Sequence, residues 1–434
     1  MVEINFAGGC REIGGSAIEI ESENGNNILL DYGIKVGEGN EKIPNFPHLK
    51  TKYKNFQYVV LSHAHADHSC GIPLLYSGTA QPNLLMTDVT RDLTNLLVKD
   101  TIKLSKYYLP FENQERMRML KKISITNYNQ RVMLNGIKVT LFDAGHIPGS
   151  SCIYLEINDK KFLYTGDINQ IPTRLNDNCK SNFPPVDYLI IESTYALQDH
   201  PERMETENEF MNDINSTIEA GGNVLIPAFG VARSQEILLV LYYNGFNYPV
   251  TMDGMARASS YIFKDHPQFL KDYNFFEESL NKAKLISYSR NKTRERSDAT
   301  KRSGAIIAPS GMLRGGTAMI YLQEMSEDEN NSILLVSYQL PDSPGRKLLD
   351  TGSIFLKDLD EEITVKAKTK LYNFSSHSDS KHLWNLIDNI NFNQGAKVFC
   401  VHGEEESCVK FADQIMDKYK NLEAHAPKAG EEFN

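Results

Sequence analysis

Directly after an apolar stretch, Tyr58-Val59-Val60-Leu61, the chain runs Ser62-His63-Ala64-His65-Ala66-Asp67-His68. The stretch predicts a buried strand, so the polar cluster falls at a strand's C-terminal end. Histidine nitrogens and a carboxylate oxygen are ligand types that zinc accepts. The four groups lie within six residues and cannot all close around one ion. The alternation instead aims His63 and His65 at one metal and Asp67 and His68 at a neighbour, which predicts a binuclear site. A polar loop of unrelated histidines is the plainer alternative, and ligand clusters at fixed spacing argue against it.

Other predicted strands also end on polar residues, which is where open sheets collect their chemistry. Asn27 to Asp31, Ile137 to Asp143, Cys152 to Ile157, Lys161 to Thr165 and Tyr188 to Ile191 read as strands, and the last stops at Glu192. The segment from about Val89 to Lys122 is more helical, with Leu93, Leu96, Leu97 and Ile102 at helical spacing. After Tyr195 the texture changes. An amphipathic helix over Glu202 to Ala220 is followed by strands at Asn223 to Pro227, Tyr248 to Asp253, Ala305 to Ala308 and Ser332 to Ser337, with helical stretches between them. Strand alternating with helix predicts a parallel, doubly wound α/β unit. The tail from about Lys370 returns to strand-end histidines, His377 and His402.

With 434 residues, two or three domains are expected. No apolar run approaches the length of a membrane span, and the start, Met1 to Asn5, lacks the basic-then-apolar pattern of a signal peptide. The six cysteines form no C-x-x-C pair and read as reduced intracellular thiols, several of them in core strands, which predicts a cytoplasmic protein. The net charge of −10 argues mildly against nucleic acid, but a phosphate backbone responds to local potential. A basic segment exists, Arg290-Asn291-Lys292-Thr293-Arg294-Glu295-Arg296 with Lys301-Arg302 after it. A solvated helix face is its plainer reading.

Six further residues join the opening cluster: Asp31, His146, Asp167, Glu192, His377 and His402. His146 can complete a set with His63 and His65, His402 a set with Asp67 and His68, and Asp167 can bridge both through its two carboxylate oxygens. Two ions about 3.5–4 Å apart then make a hydroxide available near neutral pH. Taken singly, His146 and Asp167 read equally well as hydrogen-bonded structural residues; the strand-end series recruits them.

His63-x-His65-x-Asp67-His68 with Asp31, His146 and Asp167 resembles the metallo-β-lactamase superfamily. Later motifs resemble its β-CASP branch of nucleic-acid nucleases: Ile191-Glu192-Ser193-Thr194-Tyr195, Phe374-Ser375-Ser376-His377-Ser378-Asp379 and Val401-His402-Gly403-Glu404. Ala308-Pro309-Ser310-Gly311-Met312-Leu313 with Gly315-Gly316, and Tyr338-Gln339 followed by Gly345-Arg346, are of the same style. The nearest texture is that of the archaeal relatives of the cleavage and polyadenylation specificity factor nuclease and of ribonuclease J.

The resemblance implies an αββα sandwich, residues 1–196 and 369–434, interrupted by a doubly wound β-CASP domain, 197–368. It implies a ribonuclease with two Zn2+ ions on His63, His65, His146, Asp67, His68, His402 and Asp167. DNA-directed members usually carry valine at the position of His402, so the histidine favours RNA. Asp67, His377, Glu192 and Asp31 are the implied catalytic group. His377, oriented by Glu192, gives the leaving 3′-oxygen its proton, and Asp31 holds metal ligands in place. Ser310, Gly311, Ser375 and Ser376 present hydroxyls and N–H groups to phosphates, and Arg314 and Arg346 add charge.

The chain starts almost at its first strand, without KH-type modules, and ends soon after His402, without the extra C-terminal domain of ribonuclease J. Ala196 stands where glycine is common. The expected substrate is single-stranded RNA clamped by the inserted domain, trimmed from the 5′ end in RNA processing or decay. Internal cutting of the 3′-end-processing type is the alternative. A small-molecule hydrolase would have a short loop in place of the long insertion, and an inactive scaffold would have lost ligands. A homodimer, or association with other RNA-processing proteins, fits such a chain.

Overall fold

The structure, a computed structural model, describes residues 2–22, 25–35, 44–79, 81–105, 108–356 and 360–434. The chain forms two compact units. One comprises Met1–Pro172, Asn176–Asp199 and Ser376–Asn434; the other comprises Thr173–Leu175 and His200–Ser375.

Strands apolar on both faces dictate the first unit. In Phe56–Val60, Val60 joins one core and Val59 another; in Val186–Glu192, Ile190 faces one way and Leu189 and Ile191 the other. Successive side chains of a strand point to opposite faces, so such strands need cover on both. Two seven-stranded sheets supply it. The first runs Glu431–Phe433, Val2–Gly8, Ala17–Ser22, Asn27–Leu30, Phe56–Val60, Asn83–Met86, Ile123–Ile125. The second runs Glu423–His425, Phe392–Val401, Val186–Glu192, Lys160–Tyr164, Ser151–Ile157, Ile137–Asp143, Arg131–Leu134. Between the sheets pack Ile4, Phe6, Ile20 and Val60 with Leu141, Ile153, Phe162 and Phe399. Outside the first sheet, Val59 and Leu84 meet Val98 and Met119 of the helices Asp88–Ser105 and Asn113–Leu120. Outside the second, Leu189 and Val398 meet Leu386 and Phe411 of Ser380–Asn389 and Glu405–Lys418. This is the expected αββα sandwich. Of the helical segment expected over Val89 to Lys122, residues 106 and 107 lie outside the described ones.

The second unit is the expected parallel α/β domain. Its six-stranded sheet runs Lys284–Leu285, Val250–Met252, Ala305–Ala308, Val224–Pro227, Ser332–Leu335, Lys368–Leu371, and every pairing in it is parallel. Leu225 and Ile306 pack on one face against Tyr321 and Leu322 of the helix Thr317–Met325. Ile226 and Ile307 alternate with them and are fully buried on the other face. The helices Arg203–Glu219 and Arg233–Tyr243 also lie against this sheet.

Two expectations change. The strand expected to lead into His377 stops at Leu371. The Asn373 side chain accepts the Ser375 N–H at 3.0 Å, a local turn that ends the extended run. His377 therefore sits in an irregular stretch before the helix Ser380–Asn389, whereas His402 does follow its strand. Of the six cysteines, all buried and none in a disulfide, only Cys152 and Cys400 lie within strands. No described helix is long and apolar enough to cross a membrane.

Under the basic segment, Arg296 turns inward and grips the buried Asp253 at 2.6 and 3.2 Å, while the Tyr321 hydroxyl donates to the same carboxylate at 3.0 Å. Removing one member of such a pair strands the other. Asp253→Ala is expected to destabilise the second unit by about 3 kcal/mol, read from urea unfolding; a loss under about 1 kcal/mol would contradict this.

Candidate metal centre

Strand ends of the first unit deliver the expected residues to one place. His63, His65, Asp67 and His68 follow Phe56–Val60, the last two on the single turn Ala66–Ser69. Asp31 follows Asn27–Leu30, His146 follows Ile137–Asp143, Asp167 follows Lys160–Tyr164, Glu192 ends its own strand, and His402 follows Phe392–Val401. Backbone packing is close here. A Cβ at Gly33 would meet the Asp67 carbonyl oxygen at 1.7 Å, and one at Gly145, whose φ is +69°, would meet the Asn169 carbonyl at 2.5 Å.

The cluster has two halves around one carboxylate. His65 Nδ1 lies 3.2 Å from His63 Nε2 and 3.1 Å from His146 Nε2. Asp167 Oδ2 is 3.5 Å from both His63 Nε2 and His146 Nε2. Its Oδ1 is 3.3 Å from His68 Nε2 and 3.3 Å from His402 Nδ1, and His402 Nε2 faces Asp67 Oδ2 at 3.4 Å.

Outer hydrogen bonds turn the inner nitrogens toward the centre. Asp31 accepts from Ser62 N and Ser62 Oγ, from Tyr164 at 2.8 Å, and from His68 Nδ1 at 2.7 Å. Ser62 Oγ, having donated to Asp31, accepts from His63 Nδ1 at 3.1 Å. His146 Nδ1 donates to the Ser376 carbonyl at 2.8 Å. Asp31 and His402 both hold left-handed backbone, φ 57° and 49°. His402 is fixed there by its N–H to the Gly9 carbonyl at 2.7 Å and by Thr194 Oγ1 donating to its carbonyl at 3.1 Å. Such conformations cost free energy and persist only where the surroundings impose them.

The donor set fits divalent metal. Burial, with the neighbouring imidazoles, pushes His63 and His146 well below the ordinary histidine range, and burial brings His65 down to about 4. His63 and His146 direct their Nδ1–H groups outward, to Ser62 Oγ and the Ser376 carbonyl, so their inner Nε2 atoms present lone pairs to the centre, as a cation site requires. Asp167 Oδ1 is buried with no hydrogen-bond partner. Burial opposes its charge, but His402 and His68 hold the carboxylate well below its usual range. Burial also opposes charge on His68, where Asp167 and Asp31 outweigh it and keep the ring protonated; metal binding at Nε2 displaces that proton. The two half-sites, His63/His65/His146/Asp167 and Asp67/His68/His402, could each hold an ion.

Beside them, His377 Nδ1 faces both Glu192 oxygens at 3.0 and 2.8 Å, and its Nε2 is 3.9 Å from Asp167 Oδ2. Burial lowers the imidazole, but the charges of Glu192 and Asp167 raise it to about 9. Glu192 is itself held by the Ile168 N–H at 2.7 Å.

This geometry agrees with the comparisons. The chain matches the models of a beta-lactamase superfamily domain over 26–223, a Beta-Casp domain over 234–348 and a Zn-dependent metallo-hydrolase RNA specificity domain over 362–427. It is 35% identical to the "RNase aCSPSF2" of Saccharolobus solfataricus, over 99% of this chain and 85% of that one. The chain belongs to the β-CASP ribonuclease family of the metallo-β-lactamase superfamily. Another relative, the "Probable RNase MJ4" of Methanocaldococcus jannaschii, is 33% identical over 100% of both chains. The "Transcription termination factor FttA" of the same organism is 34% identical, and the match spans 69% of its length. A crystal structure of a protein of unknown function from Enterococcus faecalis V583 shares the fold, with a TM-score of 0.62 at 16% identity over 100% of this chain and 99% of that one.

The residue types alone did not single out Ser62, Tyr164 or Thr194, which orient the family's histidines and aspartate here. Their signal was position: Ser62 precedes His63, Tyr164 ends a strand, and Thr194 lies within Ile191-Glu192-Ser193-Thr194-Tyr195. Of the six expected phosphate-binding residues, Ser376 touches the cluster, through its carbonyl. The other five lie in the second unit. There Ser310 Oγ accepts from Arg314 N at 3.1 Å, the Gly311 carbonyl accepts from Gln339 at 2.9 Å, and Ser375 N–H goes to Asn373. Arg346 spends its guanidinium on Asp350.

Proposed function

We propose that the protein hydrolyses phosphodiester bonds of single-stranded RNA with two Zn2+ ions, trimming from the 5′ end in the cytoplasm. The observation that carries this reading is the Asp167 carboxylate, whose two oxygens face two separate sets of histidines while His377 stands beside it. His63, His65 and His146 would hold one ion, and Asp67, His68 and His402 the other, with Asp167 shared. Bound there, the ions supply positive charge for the scissile phosphate and acidify the attacking water.

The chain's own residues do the rest. Asp31, with Ser62 and Tyr164, keeps His68 and His63 turned inward. Glu192 holds the Nδ1–H of His377, so Nε2 is the nitrogen presented to substrate. From there it protonates the leaving 3′-oxygen. The segments 1–196 and 369–434 would carry this chemistry and the insertion, 197–368, would grip the strand, with Ser310, Gly311, Arg314, Arg346, Ser375 and Ser376 toward its phosphates.

The preference for RNA rests on the names of the relatives and on His402. The 5′-to-3′ direction rests on the resemblance to trimming members, supported by 32% identity to the "RNase J-like protein" of Methanocaldococcus jannaschii over 97% of both chains. A circular RNA tests it. The linear strand should be degraded to mononucleotides while the circle of the same sequence survives. If the circle is cut as fast as the linear strand, the enzyme is an endonuclease.

A further inference from the structure

One segment of the second unit is strongly basic on a chain that is acidic as a whole. Between Lys284 and Arg302 stand seven cationic side chains and two anionic ones, on a chain whose net charge is −10. Arg296 is consumed inward by Asp253, and Arg294, its side chain 86% exposed, has Asp298 4.0 Å away. Arg290, Lys292, Lys301 and Arg302 are exposed. Amid these charges Tyr288 is 70% exposed.

Tyr288 is nevertheless held. The Arg257 guanidinium, from the helix Met255–Asp265, lies 3.5 Å from the ring centroid and donates to the Ile286 carbonyl. Its Nε is buried without a hydrogen-bond partner, so the group sits there as a stacked cation rather than as a solvated one. From the other side, Glu295 on the helix Lys292–Thr300 accepts the Ser287 N–H at 2.8 Å and the Ser287 hydroxyl at 2.7 Å. Two neighbouring helices thus clamp the residues on which Tyr288 stands, and the ring covers a guanidinium while much of its surface faces solvent.

We propose that Tyr288, with Arg290, Lys292 and Arg294, is a docking platform for single-stranded RNA, in which a nucleobase stacks on the ring and the adjacent cations take its flanking phosphates. Base-on-aromatic stacking is sequence-tolerant, and a cation beneath the ring adds to it. An acidic protein would use the charges but has no need of a fixed, open aromatic face. The inference rests on the reading of the protein as a ribonuclease, and it adds a contact outside the metal centre.

The test uses the full chain carrying Asp67→Ala, so that bound RNA survives, and a single-stranded 20-mer containing 4-thiouridine. Irradiation should crosslink the RNA to the peptide containing Tyr288. Adding Tyr288→Ala should weaken binding about five- to hundredfold, whereas Tyr288→Phe should bind as the parent does. Arg290→Ala and Lys292→Ala should each flatten the dependence of log affinity on log salt by about 0.7. Unchanged affinity in Tyr288→Ala, or a Phe variant as weak as the Ala variant, overturns the platform. If the parent binds no RNA at all, the ribonuclease reading itself falls, and the platform with it.

Discussion

Asp67→Ala is expected to abolish RNA cleavage while the chain melts within about 2 °C of wild type. Asp67 stands on the four-residue turn Ala66–Ser69, its side chain 31% exposed, with His402 Nε2 at 3.4 Å. No core depends on it: the packed residues of that region are Leu61, Cys70 and Ile72, whose burial its loss leaves alone. What it contributes is charge. Burial works against ionisation, yet His402 and His68 hold the carboxylate well below its ordinary range, so it is an anion at any working pH. Its removal leaves the second half-site with His68, His402 and only a share of the Asp167 carboxylate, one anionic ligand short. Zinc analysis should find about two ions per wild-type chain and about one in the variant. Full activity in Asp67→Ala, or wild-type protein that binds no zinc, would sink the binuclear reading.

His377→Ala is expected to slow cleavage by a factor of about 10² to 10⁴ with zinc content unchanged, the usual contribution of a positioned general acid. The ring lies beside the cluster, but its Nδ1 is committed to Glu192, and its Nε2 stops 3.9 Å from Asp167. The five proposed ligand histidines stand closer in, with nitrogen or carboxylate-oxygen neighbours at 3.1 to 3.5 Å. Glu192→Gln should reproduce part of the loss, because a neutral amide keeps the ring's place without supporting its proton. A His377→Ala protein that loses zinc together with activity would mark His377 as a ligand.

Much of this was legible in the residues because a metal site and a strand share a grammar. Metal-capable side chains at the ends of apolar runs can be read as a series from their positions, and His63, His65, Asp67, His68, His146, Asp167 and His402 do converge. The strand from Ile137 to Asp143 lies where its alternation puts it. Legibility failed where a side chain competes with the ladder: Asn373 takes a backbone N–H and ends the strand early, which apolar patterning cannot register. It failed also for the groups behind the ligands. Ser62, Tyr164 and Thr194 are ordinary strand-end residues until the fold sets Asp31 and His402 within reach of their hydroxyls.

The insertion sets the order in which a nascent chain can become an enzyme. Thr194 and His402 touch although 208 positions separate them, and the strand Phe392–Val401 pairs with Val186–Glu192 only after the whole second unit has left the ribosome. Until then the second sheet lacks a neighbour for Val186–Glu192, and the cluster lacks both His377 and His402. A chain stalled anywhere in the insertion carries His63, His65, His146 and Asp167 but neither the proposed acid nor the last proposed ligand. Synthesis therefore orders assembly: the cluster can close only after the insertion has been made and Phe392–Val401 has followed it to pair with Val186–Glu192.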